Sequence, residues 1–202
     1  MTAVLTDALA LSKDAQDLLF HEARTANAFT DEPVTEDEVR AIYELVKWAP
    51  TAMNTQPLRV LLVRSDEANE RLSRHMTEPN RAKTLKAPLT AILAADTNFH
   101  DHLHRTFPHV PNAKDKFADE TGRRAAAKLS TGLQIGYFIL GIRAAGLDAG
   151  PMAGFDAEGV RAEFFAGTGI EPLVVVNIGH VAEGGSRPRN PRLDYAEVVS
   201  SV

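Results

Sequence analysis

Three stretches of the chain repeat apolar residues at helical spacing. The first spans residues 7 to 23 and has an apolar stripe of Ala8, Leu11, Ala15, Leu18 and Leu19. The second begins after Thr35, forms a capping box with Glu38 and ends before Pro50. Its stripe consists of Val39, Ile42, Tyr43 and Val46. The third covers residues 119 to 147. Apolar residues surround its axis from Leu133 to Ile142, which predicts a buried central helix that Gly146 terminates.

The remaining pattern predicts strands at 58–64, 88–96 and 172–180, the last interior because it is largely apolar. Shorter helices are expected at 65–76, capped by Ser65, and at 157–166. The His-rich stretch 98–116 and the Gly/Pro-rich stretch 147–156 are predicted as loops. This order is not a strict β-α-β alternation, so it favours an α+β layered fold in one domain, 1–202, over a doubly wound sheet.

Composition narrows the class of protein. A formal net charge of −5 argues against a nucleic-acid or anionic-membrane partner, although it leaves room for a local basic pocket. With no cysteine, the chain has no disulfide, thiolate metal site or cysteine nucleophile. The N-terminal residues lack the basic start of a signal peptide, and apolar runs such as LTAILAA are too short to span a membrane. We therefore expect a cytoplasmic protein.

The segment RTANAFTDEP follows the first predicted helix and contains Arg24 and Thr25. A planar guanidinium beside a hydroxyl suits a phosphate. The alternative is a cation that complements the dipole at a helix C-terminus.

Three later segments also carry candidate chemistry. APTAMNTQPL places the carboxamides of Asn54 and Gln56 between prolines, which suits a heterocycle edge or simply a turn. GPMAGFD (150–156) would let backbone approach a flat ligand, or merely connect two elements. RPRNPR (187–192) is either a phosphate clamp or a solvated tail.

A metal site is not favoured. HDHLH places His100 and His104 four residues apart, but a third ligand is missing although Asp101 is near. The chain also has no G-x-S-x-G, G-x-x-x-x-G-K-S/T or G-x-G-x-x-G motif, so any nicotinamide cofactor would not be held in the Rossmann manner.

In their order and spacing, RTANAFTDEP, PTAMNTQP, GPMAGFD and RPRNPR resemble the flavin-dependent nitroreductase family. GLDAGPMAGFD with KTLKAP (83–88) is most similar to its malonic semialdehyde reductase branch. The resemblance implies a mostly antiparallel sheet flanked by helices, and a homodimer with an exchanged C-terminal arm and two flavins at the interface.

The resemblance also implies residue roles in binding FMN. Its phosphate would contact Arg24, Thr25, Arg187 and Arg189. Asn54 and Gln56 would meet the flavin, in part that of the other subunit. One face of the ring would be lined by Pro151, Met152, Ala153 and Gly154, with the Ala153 N–H directed at flavin N5.

Two departures from the family pattern stand out. Asn27 replaces a basic residue that contacts the flavin pyrimidine, so Asn27→Lys is expected to tighten FMN binding. KLSTGLQ (128–134) differs from the Arg-Asn-Ser-Ser run of the semialdehyde branch, which affects the choice of substrate.

The implied activity is ping-pong hydride transfer from NADH or NADPH through flavin N5 to a malonic semialdehyde-type aldehyde, a quinone or a nitro compound. No side chain is identified as a nucleophile or general base. Acceptor choice is expected to lie in the mobile segment 99–117. The alternatives are an oxygen-using flavoenzyme of the same fold, a non-catalytic FMN-binding protein, or a chain without flavin in which Arg24 caps a helix.

Overall fold

A four-stranded antiparallel sheet forms the centre of the computed structural model, which describes residues 9–202. The strand order is β1-β2-β4-β3, so β2 and β4 are interior. The four strands are Leu58–Val63 (β1), Leu89–Asp96 (β2), Asp148–Met152 (β3) and Ile170–Gly179 (β4). Every residue of β2 is buried, including the polar Thr90 and Asp96. The predicted α+β fold and its antiparallel sheet are confirmed.

Helices pack around this sheet. The first is α1, Lys13–Gln16, which continues as a π-helical turn, Asp17–His21. The others are α2 (Glu36–Val46), α3 (Asp66–Arg74), α4 (Glu78–Thr84), α5 (Leu103–Thr106), α6 (Glu120–Ala144), α7 (Ala157–Phe164) and α8 (Tyr195–Val198). The predicted start of the first helix at residues 7 and 8 lies outside the described residues. The capping box of Thr35 and Glu38 and the Ser65 cap are both present.

The central helix α6 crosses the sheet and packs against α2. At their crossing, a Cβ on Gly141 would lie 2.3 Å from Val46 Cγ1, so glycine permits the close approach. Ile135, Phe138 and Ile142 fill the core below it. Gly146 has a φ of 79° and ends this segment as predicted.

The prediction that α6 is buried all round was wrong for one side. Leu129, Leu133 and Tyr137 are 71%, 50% and 44% exposed, because the sheet and α2 cover only the opposite face. Tyr43, placed in the apolar stripe of the second predicted helix, is 56% exposed. By length and composition α6 could cross a membrane. Its buried Ser130, Thr131 and Gln134 instead identify a helix that packs on a polar-containing core.

Two predicted loops contain regular structure. Half of 147–156 is strand β3, where Pro151 is tolerated because β3 lies at the sheet edge. The stretch 98–116 folds into the 3₁₀ turns Phe99–His102 and Ala113–Phe117 with α5 between them. Phe99, Leu103 and Ala113 anchor it, since each is at most 1% exposed.

Candidate functional site

A cavity of about 670 Å³ lies between the first motif, α4 and the C-terminal segment, and we call it the cationic cavity. Six cationic side chains line it, and no carboxylate does among the described residues. The six are Arg24, Lys83, Arg143, Arg187, Arg189 and Arg192. Thr25 and Asn27 add polar groups. The structure thus brings together five of the predicted site residues, Arg24, Thr25, Asn27, Arg187 and Arg189, in a lining suited to an anion.

Backbone pairing assembles the cavity. Thr25 forms a parallel bridge with Ala149, and the Ala26 N–H donates to the Ala149 carbonyl over 3.0 Å. The next residue, Asn27, donates its N–H to the Gly185 carbonyl over 2.7 Å. A Cβ on Gly150 would lie only 2.5 Å from the Ala26 carbonyl oxygen. Glycine at 150 therefore lets the first motif lie directly against β3.

Arg24 caps the helical turn and also lines the cationic cavity. Arg24 Nη1 donates to the carbonyls of His21 and Ala23, at 2.8 and 3.0 Å. Arg189 Nη2 donates to the same two carbonyls and to that of Phe20, over 2.7–2.9 Å. The two arginines thus satisfy the end of the helical turn. Because a guanidinium carries five N–H groups, donors remain to serve an anion in the cavity.

Lys83 places a positive charge beside Asn27. Its Nζ lies 2.7 Å from Asn27 Oδ1, so α4 provides the cation that residue 27 lacks. The motif KTLKAP contains this lysine, but the sequence predicted no role for it. The expectation that Asn27→Lys tightens FMN binding stays a prediction.

The start of α4 holds the loop after β3. The Gly154 carbonyl accepts three hydrogen bonds, from the Thr77 N–H (3.1 Å), Thr77 Oγ1 (3.0 Å) and Asn80 Nδ2 (3.1 Å). A Cβ on Gly154 would crowd both side chains, at 2.9 and 2.8 Å. Thr77 and Asn80 were missed because nothing in the sequence pairs them with residue 154.

The predicted ring-lining residues lie beside the cationic cavity but not in its wall. Pro151, Met152, Ala153 and Gly154 are joined to the cavity through the pairing of Ala149 with Thr25. The structure therefore supports proximity of this loop to the first motif, and the contact of the loop with a ligand stays a prediction.

Asn54 and Gln56 lie elsewhere, in the segment 50–57 that we call the carboxamide loop. They line a cavity of about 310 Å³ with Trp48, and Gln56 reaches a neighbouring one of about 370 Å³. Neither side chain lines the cationic cavity. Asn54 Nδ2 donates to the Thr106 carbonyl (2.8 Å), and Gln56 Nε2 donates to Asn54 Oδ1 (2.9 Å).

The carboxamide loop is strained. Among the described residues, the non-glycine residues with positive φ are Met53, Asn54 and Gln56, at 50°, 50° and 45°. Such conformations are unfavourable and concentrate at ligand-binding segments.

An ion pair between Arg59 and Asp96 supports the carboxamide loop. Arg59 Nη1 donates to the Gln56 carbonyl (3.1 Å), and Arg59 Nη2 contacts Asp96 Oδ2 at 2.6 Å. Asp96 Oδ1 in turn accepts the Asn98 N–H at 2.8 Å, where the His-rich segment begins. This pair couples two segments far apart in sequence, and no motif indicated it.

The His-rich segment offers no built metal centre. Burial lowers the pKa of His100, and His104 Nδ1 lies 2.9 Å from the Asp101 carbonyl oxygen. Within residues 9–202 no group of three His, Cys, Asp or Glu side chains could hold an ion.

Comparison with known proteins agrees with this geometry. Residues 21–180 match the model of the nitroreductase family. A Streptomyces coelicolor protein named "Putative NADH dehydrogenase/NAD(P)H nitroreductase" is 58% identical over 195 residues, which cover 96% of this chain and 99% of that protein.

Solved structures show the same fold. A "putative nitroreductase" of Bacillus subtilis has a TM-score of 0.81 at 24% identity and covers 91% of this chain and 97% of its own. A "putative nitroreductase in complex with FMN" from Exiguobacterium sibiricum has a TM-score of 0.81 at 17% identity, with coverages of 95% and 98%. The chain belongs to the nitroreductase family.

Proposed function

We propose that this protein is an FMN-dependent NAD(P)H oxidoreductase that reduces a small acceptor. The observation that carries the proposal is the cationic cavity, where side chains from four parts of the chain converge and none of residues 9–202 contributes a lining carboxylate. Arginine forks, an ammonium and a threonine hydroxyl are the donor set that a phosphomonoester dianion requires. The FMN-bound relative of the same fold and the NAD(P)H in the name of the Streptomyces protein support the assignment.

Each part of the site has a distinct task in this proposal. Arg24, Thr25, Arg187 and Arg189 bind the phosphate, and the Asn27–Lys83 pair contacts the polar edge of the ring. Bound FMN would supply hydride transfer between NAD(P)H and the acceptor. The residues Pro151 to Gly154 line the ring, and the Ala153 backbone N–H acts as a donor towards it.

A homodimer would complete the site. The carboxamide loop does not reach the cationic cavity within one chain. The exposed face of α6 presents Leu129, Leu133 and Tyr137, with Gly132 between them open to close approach. We propose that a second copy covers this face, inserts its Asn54 and Gln56 near the flavin, and exchanges the exposed C-terminal segment that contains α8.

The proposed acceptor is a malonic semialdehyde-type aldehyde, a nitro compound or a quinone, and the proposed location is the cytoplasm, where NAD(P)H is available. The His-rich segment is the proposed determinant of acceptor choice, because Thr106 contacts Asn54 directly.

Titration of the purified apoprotein with FMN, followed by anaerobic addition of NADH or NADPH, tests the function. We expect tight FMN binding and loss of the yellow absorbance with one or both nucleotides. Reoxidation by malonic semialdehyde, a nitroaromatic, a quinone and oxygen then ranks the acceptors. Failure to bind FMN would overturn the proposal, binding without reduction would indicate a passive flavin carrier, and preference for oxygen an oxidase-like enzyme.

Subunit complementation tests the dimer. Arg24→Gln and the double variant Asn54→Ala, Gln56→Ala should each be impaired alone. If the two regions meet across an interface, refolding an equal mixture restores about a quarter of wild-type activity, since half the dimers are mixed and one of their two sites is intact. No recovery in demonstrably mixed dimers would place both regions in one subunit's site.

A further inference from the structure

Arg143 in the last turn of α6 uses one of its five N–H groups among the described residues. Its Nη1 donates to the Leu19 carbonyl at 3.0 Å, across to the π-helical turn of the N-terminal segment. Its Nε is enclosed by protein atoms, so the donors that a ligand in the cationic cavity could reach are those of the Nη groups.

Arg143 lies near a charge of each sign. Burial lowers its pKa, the neighbouring Arg189 lowers it further, and Asp148 on β3 acts in the opposite direction. The Asp148 carboxylate is itself engaged, since its Oδ2 accepts the Val181 N–H at 3.1 Å. Arginine remains charged at neutral pH. Two guanidinium groups are therefore held together at one wall of a cavity that Arg24 and Lys83 also line.

A purely structural role explains only part of this arrangement. Holding the Leu19 carbonyl requires one Nη group, and a neutral amide could do the same. It does not account for the second guanidinium, that of Arg189, which lines the same cavity. The approach of two like charges becomes favourable when a dianion occupies the cavity, because the dianion neutralises the repulsion and accepts from the Arg143 N–H groups that Leu19 does not use.

We infer that Arg143 is a further binding residue for the phosphate group that the cationic cavity takes up. Arg143 contacts the phosphate from the end of α6, and its hydrogen bond to the Leu19 carbonyl connects the bound anion to the N-terminal helical turn. The inference rests on the proposed function for the identity of the phosphate as that of FMN. The dianion-binding role of Arg143 is itself independent of flavin chemistry.

Binding of two flavins to apoprotein separates a phosphate contact from a structural one. The variants are Arg143→Gln, Arg143→Lys, and the control Arg161→Gln on α7, away from the cavity. FMN and riboflavin differ only in the phosphate. We expect Arg143→Gln to weaken FMN binding about tenfold or more while leaving riboflavin binding unchanged, as loss of a charge-assisted hydrogen bond would. Arg143→Lys should lose less FMN affinity than Arg143→Gln, and Arg161→Gln should lose none.

Equal weakening for both flavins, or none for either, overturns the inference. Inorganic phosphate provides a second readout that needs no flavin. It should raise the melting temperature of the wild-type apoprotein more than that of Arg143→Gln, and an equal rise would contradict the inference. If the wild type responds to phosphate through Arg143 but binds no FMN, the proposed function fails and the anion site stands. Should Arg143→Gln not fold, Arg143→Lys gives the same comparisons at smaller amplitude.

Discussion

The cationic cavity and the carboxamide loop differ in how one chain builds them. The cavity is assembled by backbone pairing among the first motif, β3 and the segment before Arg187, and glycine occupies the positive-φ position of that segment, Gly184. The carboxamide loop stands apart, is held by side-chain contacts, and contains three positive-φ residues. In the first region, residues from four parts of one chain line a single cavity. The second resembles a segment shaped for a partner or ligand that one chain does not supply.

The largest effect is expected from Gly150→Ala, which breaks the assembly of the cavity. The new Cβ would meet the Ala26 carbonyl oxygen at 2.5 Å, so the first motif must move away from β3. We expect the free energy of unfolding to fall by about 1–3 kcal/mol and FMN affinity to fall about tenfold or more.

Gly167→Ala is the matched control for that change. It has a φ of 74° with open space around the new Cβ, and lies in the turn before β4. It should cost about 1–2 kcal/mol of stability through backbone strain alone while FMN affinity stays unchanged. Equal affinity losses in the two variants would mean that stability, and not the pairing of residues 26 and 150, controls flavin binding.

An effect of intermediate size on stability is expected when the Arg59–Asp96 ion pair next to the carboxamide loop is broken. Asp96→Asn removes the charge that pairs with Arg59, and the Asp96 side chain is only 11% exposed. Urea unfolding should show a loss of about 1–3 kcal/mol. Glu78→Gln, which weakens the exposed Glu78–Arg81 pair, should lie within about 0.5 kcal/mol of wild type. Stabilisation of the protein by inorganic phosphate should be the same in both, since neither residue lines the cationic cavity.

The smallest effect on stability is expected from relieving the backbone strain in the carboxamide loop. Gln56→Gly removes the penalty for a φ of 45°, so stability should rise by up to about 1 kcal/mol despite the greater freedom of glycine when unfolded. In Glu183→Gly, at a residue without positive φ, the same freedom should cost about 0.5–1 kcal/mol. If Gln56→Gly destabilises the protein as much as Glu183→Gly does, the loop stores no strain.

Local patterns were sufficient to predict most of the fold. The Thr35 capping box, the Ser65 cap and the apolar run of β4 depend on neighbouring residues, and each was confirmed. Errors arose where burial depends on distant elements. The apolar pattern around Leu133 cannot show which side of α6 the sheet will cover.

The candidate site likewise contains residues that the local sequence predicted and residues that it did not. Its motifs were visible because each is a run of unusual residues, such as Arg24-Thr25 or the three arginines of 187–192. The sequence did not reveal Lys83, Asn80 and Arg143. Their roles follow from contacts with residues 27, 154 and 19 that only the folded chain creates. A lone lysine or arginine on a helix carries no such signal in sequence.

Comparing FMN and riboflavin affinities, in the wild type and in the double variant Arg24→Gln, Arg189→Gln, tests the central claim most directly. If the cationic cavity binds the flavin phosphate, wild-type apoprotein should bind FMN at least about a hundredfold more tightly than riboflavin, and the double variant should lose most of that preference. An FMN preference that survives the double substitution, or equal affinities in the wild type, would contradict the assignment of this cavity.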